Sequence, residues 1–379
     1  MDLEKTIKDI LCARFGEEYR KDISDETTMA DIEGWDSLAY FDVVFALEEV
    51  FDITFSDEEM TQLFQVGHIK RIVKAAQLDL PHEDEANAIC QLDAVNRNDG
   101  SFIDMMVVSA SSTREGLLRH RESEALLQAR AGKHYRWFNL SVSGLVLAET
   151  IQLVEQISPN FKGTLIVGTS PVIWGTCGVA EFERTINFKR FPFAAPVMQN
   201  ALKPFGYKPD EKNPPTLMTV TMWMERYLKD RNLSDLIYEP YLYPTLPPWP
   251  VKKFEDESAI ALFYNNSLYN YRQSIEIHNE LYYTLAKLCA DKGIKLVLAE
   301  LTLHSKMRGF LEALGQICSG YDVFLKEFLS KTGVEYFDAS ELANIRDEHF
   351  RDPAHIFERK QEYTEAFIDA ALPLMAKTS

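Results

Sequence analysis

The feature that most constrains the fold is an alternation of strand-like and helix-like segments that begins near residue 100. Five short apolar runs indicate strands, at 102–108, 135–140, 164–168, 295–300 and 334–337. Amphipathic stretches indicate helices, at 145–157, 268–290, 320–331 and 356–375. Alternating strands and helices predict a parallel sheet covered on both faces. Ligands of such sheets bind beyond the carboxyl ends of the strands.

The first 80 residues follow a different pattern and predict a small bundle of four short helices. Apolar residues recur at helical spacing over 2–16, 37–51 and 68–77. A capping box at 56–59 predicts the start of a further short helix. This segment holds 19 Asp and Glu against 8 Lys and Arg, whereas the whole chain of 379 residues has a net charge of −18.

The two patterns divide the chain into a first domain at 1–78, a linker at 79–100 and a second domain at 101–379. The linker assignment depends on the loss of periodicity after Gln77, although Ile89, Leu92 and Val95 are also compatible with a short docking helix. Residues 176–255 interrupt the second domain with a stretch rich in proline and aromatic residues. A loop of that length inside a compact domain is typically a functional cover or a disordered segment.

The composition disfavours several classes of function. An acidic first domain argues against nucleic acids and anionic membranes, whose recognition requires basic surface. The chain has no apolar run long enough for a membrane span and no signal-peptide pattern at its start. Its five cysteines are dispersed without metal-like spacing, so we expect free thiols, no metal site and a cytoplasmic location.

The stretch Gly34-Trp35-Asp36-Ser37-Leu38 begins the second predicted helix, which ends in Leu47-Glu48-Glu49-Val50-Phe51. A helix N-terminus stabilises an attached anion through its unpaired N–H groups and dipole, although a serine there is also a common helix cap. Residues 3–77 resemble an acyl carrier domain. The resemblance implies a 4′-phosphopantetheine group attached to Ser37, with Asp36 and Leu38 beside it, and a phosphopantetheinyl transferase as partner.

The same resemblance implies a docking surface for partner enzymes on this helix. The implied residues are Asp36, Leu38, Asp42, Glu48 and Glu49. An acyl-loading enzyme, either a ligase or a synthase, is the second partner that a carrier domain implies.

The second domain contains the components of a serine nucleophile site in the order serine, aspartate, histidine. Ser111 follows the first predicted strand, and Asp352 and His355 precede the last predicted helix. A serine on a strand-to-helix turn presents its hydroxyl at the carboxyl end of the sheet. Asp and His three residues apart can meet within one turn, so that the carboxylate orients the imidazole that takes the serine proton. Separately, serine-rich turns and Asp/His pairs before helices are common structural features.

These positions resemble the SGNH (GDSL-type) superfamily of hydrolases and acyltransferases, over roughly 101–376. The resemblance implies a flavodoxin-like three-layer α/β/α fold, with Ser111 as the nucleophile and Ser111, Gly144 and Ser170 as oxyanion-hole residues. The chain departs from the family pattern at Ser109 and Ala110, where glycine and aspartate are usual, and at Ser170, where an asparagine amide is usual. The departures leave Ser111 and Ser112 as alternative nucleophiles and a degenerate site as a third possibility.

Together the two resemblances predict an acyltransferase. The acyl group would pass from the arm on Ser37, through Ser111, to a hydroxyl or amine of a small molecule or glycan intermediate. The alternatives are a thioesterase or esterase that releases the acyl group to water, and a catalytically silent module that presents the carrier to other enzymes. His304 follows the fourth predicted strand and could face the same cleft, although a structural role is more typical of such a histidine.

Overall fold

The protein is described here from a computed structural model. It describes residues 3–53, 55, 60, 63–77, 83–142, 144–175, 190–191, 193, 195–207, 271–350 and 354–375. The chain divides into two compact units, Met1–His82 and Glu83–Ser379. Each unit has its own hydrophobic core.

The first unit is helical. Its described α-helices are α1 (Leu3–Phe15), α2 (Ser37–Phe51) and α3 (Val66–Gln77). They enclose one apolar core, which also holds Trp35, whose ring centroid lies 5.5 Å from that of Phe15. The three helices match predicted ones to within two residues at each end. The remaining predicted helix, which begins at 56–59, lies outside the described residues.

The second unit is built on a five-stranded parallel sheet. The strands are β1 (Ile103–Val108), β2 (Tyr135–Asn139), β3 (Gly163–Thr169), β4 (Lys295–Glu300) and β5 (Glu335–Asp338). Their order across the sheet is β2-β1-β3-β4-β5, and each adjacent pair is parallel. The predicted α/β architecture with a parallel sheet is confirmed.

The helices of the second unit follow in chain order, listed here by their bounds. They are α4 (Glu83–Asn96), α5 (Ser111–Gly116), α6 (His120–Ala131), α7 (Leu147–Glu155), α8 (Pro171–Gly175), α9 (Pro196–Leu202), α10 (Tyr271–Asp291), α11 (Ser305–Gly315), α12 (Ile317–Thr332) and α13 (Lys360–Ala371).

The two faces of the sheet bury alternate residues of each strand, as the period of two requires. On one face, Met106 and Val108 pack in a core to which α4, α7, α10 and α12 contribute. On the opposite face, Met105 and Val107 pack in a second core with side chains of α6 and α13. The described part of this unit therefore has helices on both sides of the sheet.

Most of the predicted linker, 79–100, is helix α4. Its residues Ile89, Leu92 and Val95 are fully buried in the core of the second unit. Gln91 also donates to the carbonyl of Asn139 (2.9 Å) and accepts from its N–H (2.7 Å), at the end of edge strand β2. The sequence suggested a linker because acidic and amide residues obscure the apolar positions. The second unit begins at Glu83 rather than near residue 101.

The predicted insertion 176–255 is described in part. Phe191 and Phe193 are buried in the core, and α9 packs against α7 and α10. These residues belong to the body of the second unit. The rest of the insertion lies outside the described residues.

Candidate functional sites

The first candidate site is the N-terminus of α2. The carboxylate of Asp36 accepts a hydrogen bond from the N–H of Ala39 at 2.9 Å, which is the geometry of an N-cap residue. Ser37 is consequently the first residue of the helix rather than its cap. Asp36 is therefore the residue that caps α2. The N-terminal end of a 15-residue helix can stabilise an anion attached at its first position.

The outer face of α2 is aromatic as well as acidic. Phe41 and Phe45 are 47% and 61% exposed, and their ring centroids lie 6.4 Å apart. The inner face of the same helix is buried in the core of the first unit. An exposed pair of large apolar side chains on one helix face is typical of an interaction surface. The sequence showed these residues as part of an apolar run and did not separate the outer face from the inner one.

Two of the residues expected on the docking surface make contacts within the first unit. Arg14 donates to the Asp42 carboxylate through Nη2 at 2.8 Å. Glu48 accepts from the N–H of Phe55 at 2.8 Å and so fixes the chain after the helix. Glu49 is exposed, and the side chain of Leu38 lies outside the described residues. The Asp42 side chain nevertheless stays 53% exposed, so α2 keeps exposed carboxylates at Asp42 and Glu49.

The second candidate site lies where the direction of the strand order changes, between β1 and β3. In open parallel sheets this point forms a crevice beyond the carboxyl ends of the strands. Ser109 follows β1 directly, and α5 begins at Ser111 with Ala110 as its extended N-cap residue. Ser111 thus stands on the first turn after β1, as predicted.

Ser111 and His355 meet at this point although 244 positions separate them. Ser111 Oγ lies 2.8 Å from His355 Nε2, within hydrogen-bonding distance, and both residues are half-buried. An antiparallel bridge between Phe350 and Ile356 closes the loop that carries His355. Asp352, the predicted third member, falls within 351–353, outside the described residues. Ser112 makes no described contact with the histidine.

The predicted oxyanion-hole residues differ in how exposed they are. The N–H groups of Ser111 and Ser112 are the first two of α5, so no carbonyl of the helix lies in position to accept from them. The next two, those of Thr113 and Arg114, donate to the carbonyl of Ala110. Gly144 is exposed in a turn with a φ of 63°. Ser170 is buried, and its hydroxyl oxygen accepts from the N–H of Ile173 at 3.2 Å.

The structure adds a close contact that the sequence did not indicate. A Cβ atom built on Gly168 of β3 would lie 2.5 Å from Ser109 Oγ and 2.8 Å from Thr113 Oγ1. The turn after β1 and the first turn of α5 therefore rest directly on the β3 backbone. Ser109 Oγ also donates to the carbonyl of Gly168 at 3.3 Å. These contacts fix the turn that carries Ser111.

A polar cleft lies at the carboxyl ends of β4 and β5. Its volume is about 610 Å³, and it is open to solvent. Glu300 is buried in its wall and accepts from Arg308 (2.5 Å) and from the Tyr336 hydroxyl (2.8 Å). Burial raises the pKa of the Glu300 carboxyl, and Arg308 and Tyr336 counteract this by stabilising its charged form. Glu300 and Arg308 thus form a hydrogen-bonded ion pair in the wall of the cleft.

Within the described residues there is no cluster of three or more His, Cys, Asp or Glu side chains that could hold a metal ion. Nor is any described helix both long enough and apolar enough to cross a bilayer.

In the comparison with known proteins, no family model matches the chain. The N-terminal region is similar to an acyl carrier protein of Clostridium acetobutylicum, with 36% identity over 69 residues. The alignment covers 88% of that protein and 18% of this chain.

Proposed function

Because the chain belongs, through its N-terminal region, to the acyl carrier protein family, we propose that it is an acyltransferase that carries its own acyl carrier. Membership in the family implies a 4′-phosphopantetheine prosthetic group. The acyl group would pass through Ser111 to a hydroxyl or amine acceptor, in the synthesis of a glycan or secondary metabolite. The 2.8 Å contact between Ser111 Oγ and His355 Nε2 is the observation that carries the proposal.

The first unit fits the prosthetic group at Ser37. Asp36 caps the helix, and Ser37 occupies the first helical position. The positive end of α2 favours a phosphodiester there. When bound, the group supplies a flexible thiol-ended arm that holds an acyl chain as a thioester. Phe41 and Phe45 present the same helix to partner enzymes, among them a phosphopantetheinyl transferase and an acyl-loading ligase or synthase.

In the second unit, Ser111 acts as the nucleophile and His355 as the base. Ser111 Oγ attacks the acyl carbonyl while its proton passes to His355 Nε2, and the imidazolium then protonates the leaving group. Asp352 would orient the imidazole. The N–H groups of Ser111 and Gly144 would hold the developing oxyanion, with the Ser170 hydroxyl as a third donor. The ester on Ser111 is then attacked by the acceptor, whose proton returns through the same imidazole.

The fold supports this assignment by position. The strand order is that of flavodoxin-like sheets, and the pair lies at the point where such sheets bind ligands. The order of Ser111, Asp352 and His355 along the chain and the turn after β1 are also those of the SGNH superfamily. We therefore propose that the second unit is an SGNH-type domain.

A fluorophosphonate probe on the purified protein tests the nucleophile. We expect covalent labelling in the wild type and in Ser112→Ala, which serves as the neighbouring control. We expect no labelling in Ser111→Ala and strongly slowed labelling in His355→Ala. Labelling that persists in Ser111→Ala would refute the nucleophile, and an unlabelled wild type would favour a silent module.

Intact mass after incubation with coenzyme A and a phosphopantetheinyl transferase tests the carrier site. We expect the wild type and the control Ser24→Ala to gain one phosphopantetheine, and Ser37→Ala to gain none. A modified Ser37→Ala would show that the group is attached elsewhere.

The fate of a labelled acyl group on the holo-protein then separates transfer from hydrolysis. Release to water identifies a thioesterase, whereas appearance on an added alcohol or amine identifies an acyltransferase. A mixture of acyl-loaded Ser111→Ala with Ser37→Ala shows whether one chain's carrier can serve another chain's serine. Turnover in that mixture, with none in either variant by itself, demonstrates transfer between chains.

A further inference from the structure

His304 precedes α11 at the carboxyl end of the sheet. Its ring centroid lies 5.8 Å from that of Phe350, in an edge-on arrangement. Phe350 pairs with Ile356, the neighbour of His355, across an antiparallel bridge. His304 thus adjoins the loop that delivers the base.

A second series of contacts links the residues after β4 to α5, the helix that begins at Ser111. Thr302 Oγ1 lies 3.3 Å from the Tyr363 hydroxyl on α13. The Tyr363 ring and Ile356 both lie within 3.9 Å of a Cβ built on Gly116, the last residue of the helix that Ser111 begins. The residues after β4, the α5 helix and the His355 loop therefore surround one region.

The hydrogen bonds of His304 determine which of its nitrogens carries the proton. The N–H of Lys306 donates to His304 Nδ1 at 3.1 Å, so Nδ1 must offer a lone pair. The nearest carboxylate oxygen, on Asp347, lies 3.6 Å from Nδ1, which is too long for a hydrogen bond, and it accepts instead from the N–H of Ser305. A neutral imidazole has one N–H. That N–H is therefore at Nε2.

His304 is also held in its neutral form. Burial is the largest influence on the ring and lowers the pKa of His304, with a further small effect of Lys306 in the same direction and an opposing effect of Asp347. Its side chain is 14% exposed. Within the described ranges, no residue accepts a hydrogen bond from Nε2. Neighbouring polar groups have partners, as Thr302 donates to the carbonyl of Ala339 at 2.8 Å.

We propose that the Nε2–H group of His304 binds an uncharged oxygen of the acyl acceptor, a hydroxyl or ether of an alcohol or sugar. A mostly enclosed donor with a fixed tautomer and no acceptor among the described residues is suited to such an oxygen. His304 would thereby position the acceptor for attack on the ester at Ser111. The inference rests on the proposed function.

Two variants separate the helix-capping role of His304 from ligand binding. His304→Asn keeps an oxygen that can accept from the N–H of Lys306, but it has no donor at the distance of Nε2. His304→Gln places an amide N–H near the position of Nε2, but it loses the short-range cap. A purely structural histidine would be replaced better by asparagine, and a ligand-binding one by glutamine.

The assay uses p-nitrophenyl acetate as acyl donor and glycerol as acceptor, and it measures the ratio of glyceryl acetate to acetate. This ratio is independent of how fast Ser111 is acylated. We expect His304→Asn to lower the ratio about 2- to 10-fold, the effect of one neutral hydrogen bond. We expect His304→Gln to retain most of the ratio while its melting temperature falls.

An unchanged product ratio in His304→Asn overturns the inference, as does a wild type that forms no glyceryl acetate while it hydrolyses the donor. In both cases labelling of Ser111 by the fluorophosphonate still supports the proposed nucleophile. Failure of that labelling in the wild type would instead refute the proposed function. Isotope-labelled histidine in NMR spectra provides a readout without turnover, since His304 must show the neutral Nε2–H tautomer at pH 7.

Discussion

Replacing Gly168 by alanine tests whether the backbone of β3 positions Ser111, the proposed nucleophile. The added Cβ would lie 2.5 Å from Ser109 Oγ, 2.7 Å from Ser109 Cβ and 2.8 Å from Thr113 Oγ1. Ordinary van der Waals contacts of a Cβ atom begin at 3.4 Å, which is about 0.6 to 0.9 Å further out. The collision involves the turn that precedes Ser111 and the helix that it begins, so relief of the overlap displaces Ser111 relative to His355.

The magnitude follows from two separate effects. Overpacking of a well-filled interior costs about 1–3 kcal/mol of folding stability. A displacement of a reacting group by about 1 Å costs on the order of 10²-fold in rate. We therefore expect Gly168→Ala to remain folded in a domain of this size but to react with a fluorophosphonate roughly 100 times more slowly. Urea unfolding and labelling rates measure the two effects.

Gly116→Ala is the matched control. A Cβ on Gly116 meets its nearest atom, Tyr363 Cε1, at 3.7 Å, which is an ordinary contact. It lies at the end of the same helix, α5, and should leave the labelling rate within a factor of a few. Ser109→Gly combined with Gly168→Ala removes two of the three close contacts and should recover part of the rate. Equal labelling of Gly168→Ala and the wild type would refute the positioning argument.

Three further predictions concern the cap of α2, a buried thiol and a pH dependence. Asp36→Ala should destabilise the first unit by about 1 kcal/mol in urea unfolding, whereas Asp36→Asn retains an accepting oxygen and should cost much less; equal losses would contradict the cap. Burial raises the pKa of Cys289 to about 12, so a thiol reagent at pH 8 should modify it only after unfolding, as peptide mass mapping would show. The pKa of His304 is lowered in the folded state from its ordinary value of 6.5, so its contribution to stability is present above that value and is lost as the pH falls below it. The wild type should therefore lose more unfolding free energy than His304→Asn between pH 7.5 and 5.5, and parallel losses would contradict this.

The strands were predictable because each is a short, mostly apolar run in the sequence. Each predicted strand agrees with the observed one to within one residue at each end. Parallel strands buried on both faces are short apolar runs, and polar residues or glycine bound them here. The contact between Ser111 and His355 was likewise predicted, from the serine on the turn after the first strand, the spacing of Asp352 and His355 before the last helix, and the resemblance to the SGNH superfamily.

Helices with few apolar residues were harder to predict. The α6 helix has Leu127 as its fully buried apolar residue and also buries the polar His120 and Ser123. Its period is therefore weak in the sequence. The α4 helix was mistaken for a linker because Gln91 and Asn87 are buried and bonded to each other at 2.6 Å. Buried amides are indistinguishable from exposed ones until the tertiary partner is known.

Details of the candidate sites depend on side-chain geometry that no pattern contains. The sequence allowed Ser37 to be a cap, and the hydrogen bond of Asp36 assigns that role to its neighbour. The crowding around Gly168 arises from Ser109 and Thr113, which lie 55 or more positions earlier in the chain. The tautomer of His304 follows from a single N–H two residues further along the chain.

The 244 positions between Ser111 and His355 determine when the pair can form during synthesis. At about 5–20 residues per second, roughly 10 to 50 s pass between translation of the serine and translation of the histidine. Strands β1, β2 and β3 are adjacent in the sheet and can associate within that interval, whereas β4 and β5 are translated later. A nascent or truncated polypeptide that ends before residue 355 therefore holds a serine hydroxyl with no imidazole to activate it. Reactivity at Ser111 would thus require that synthesis has passed residue 355.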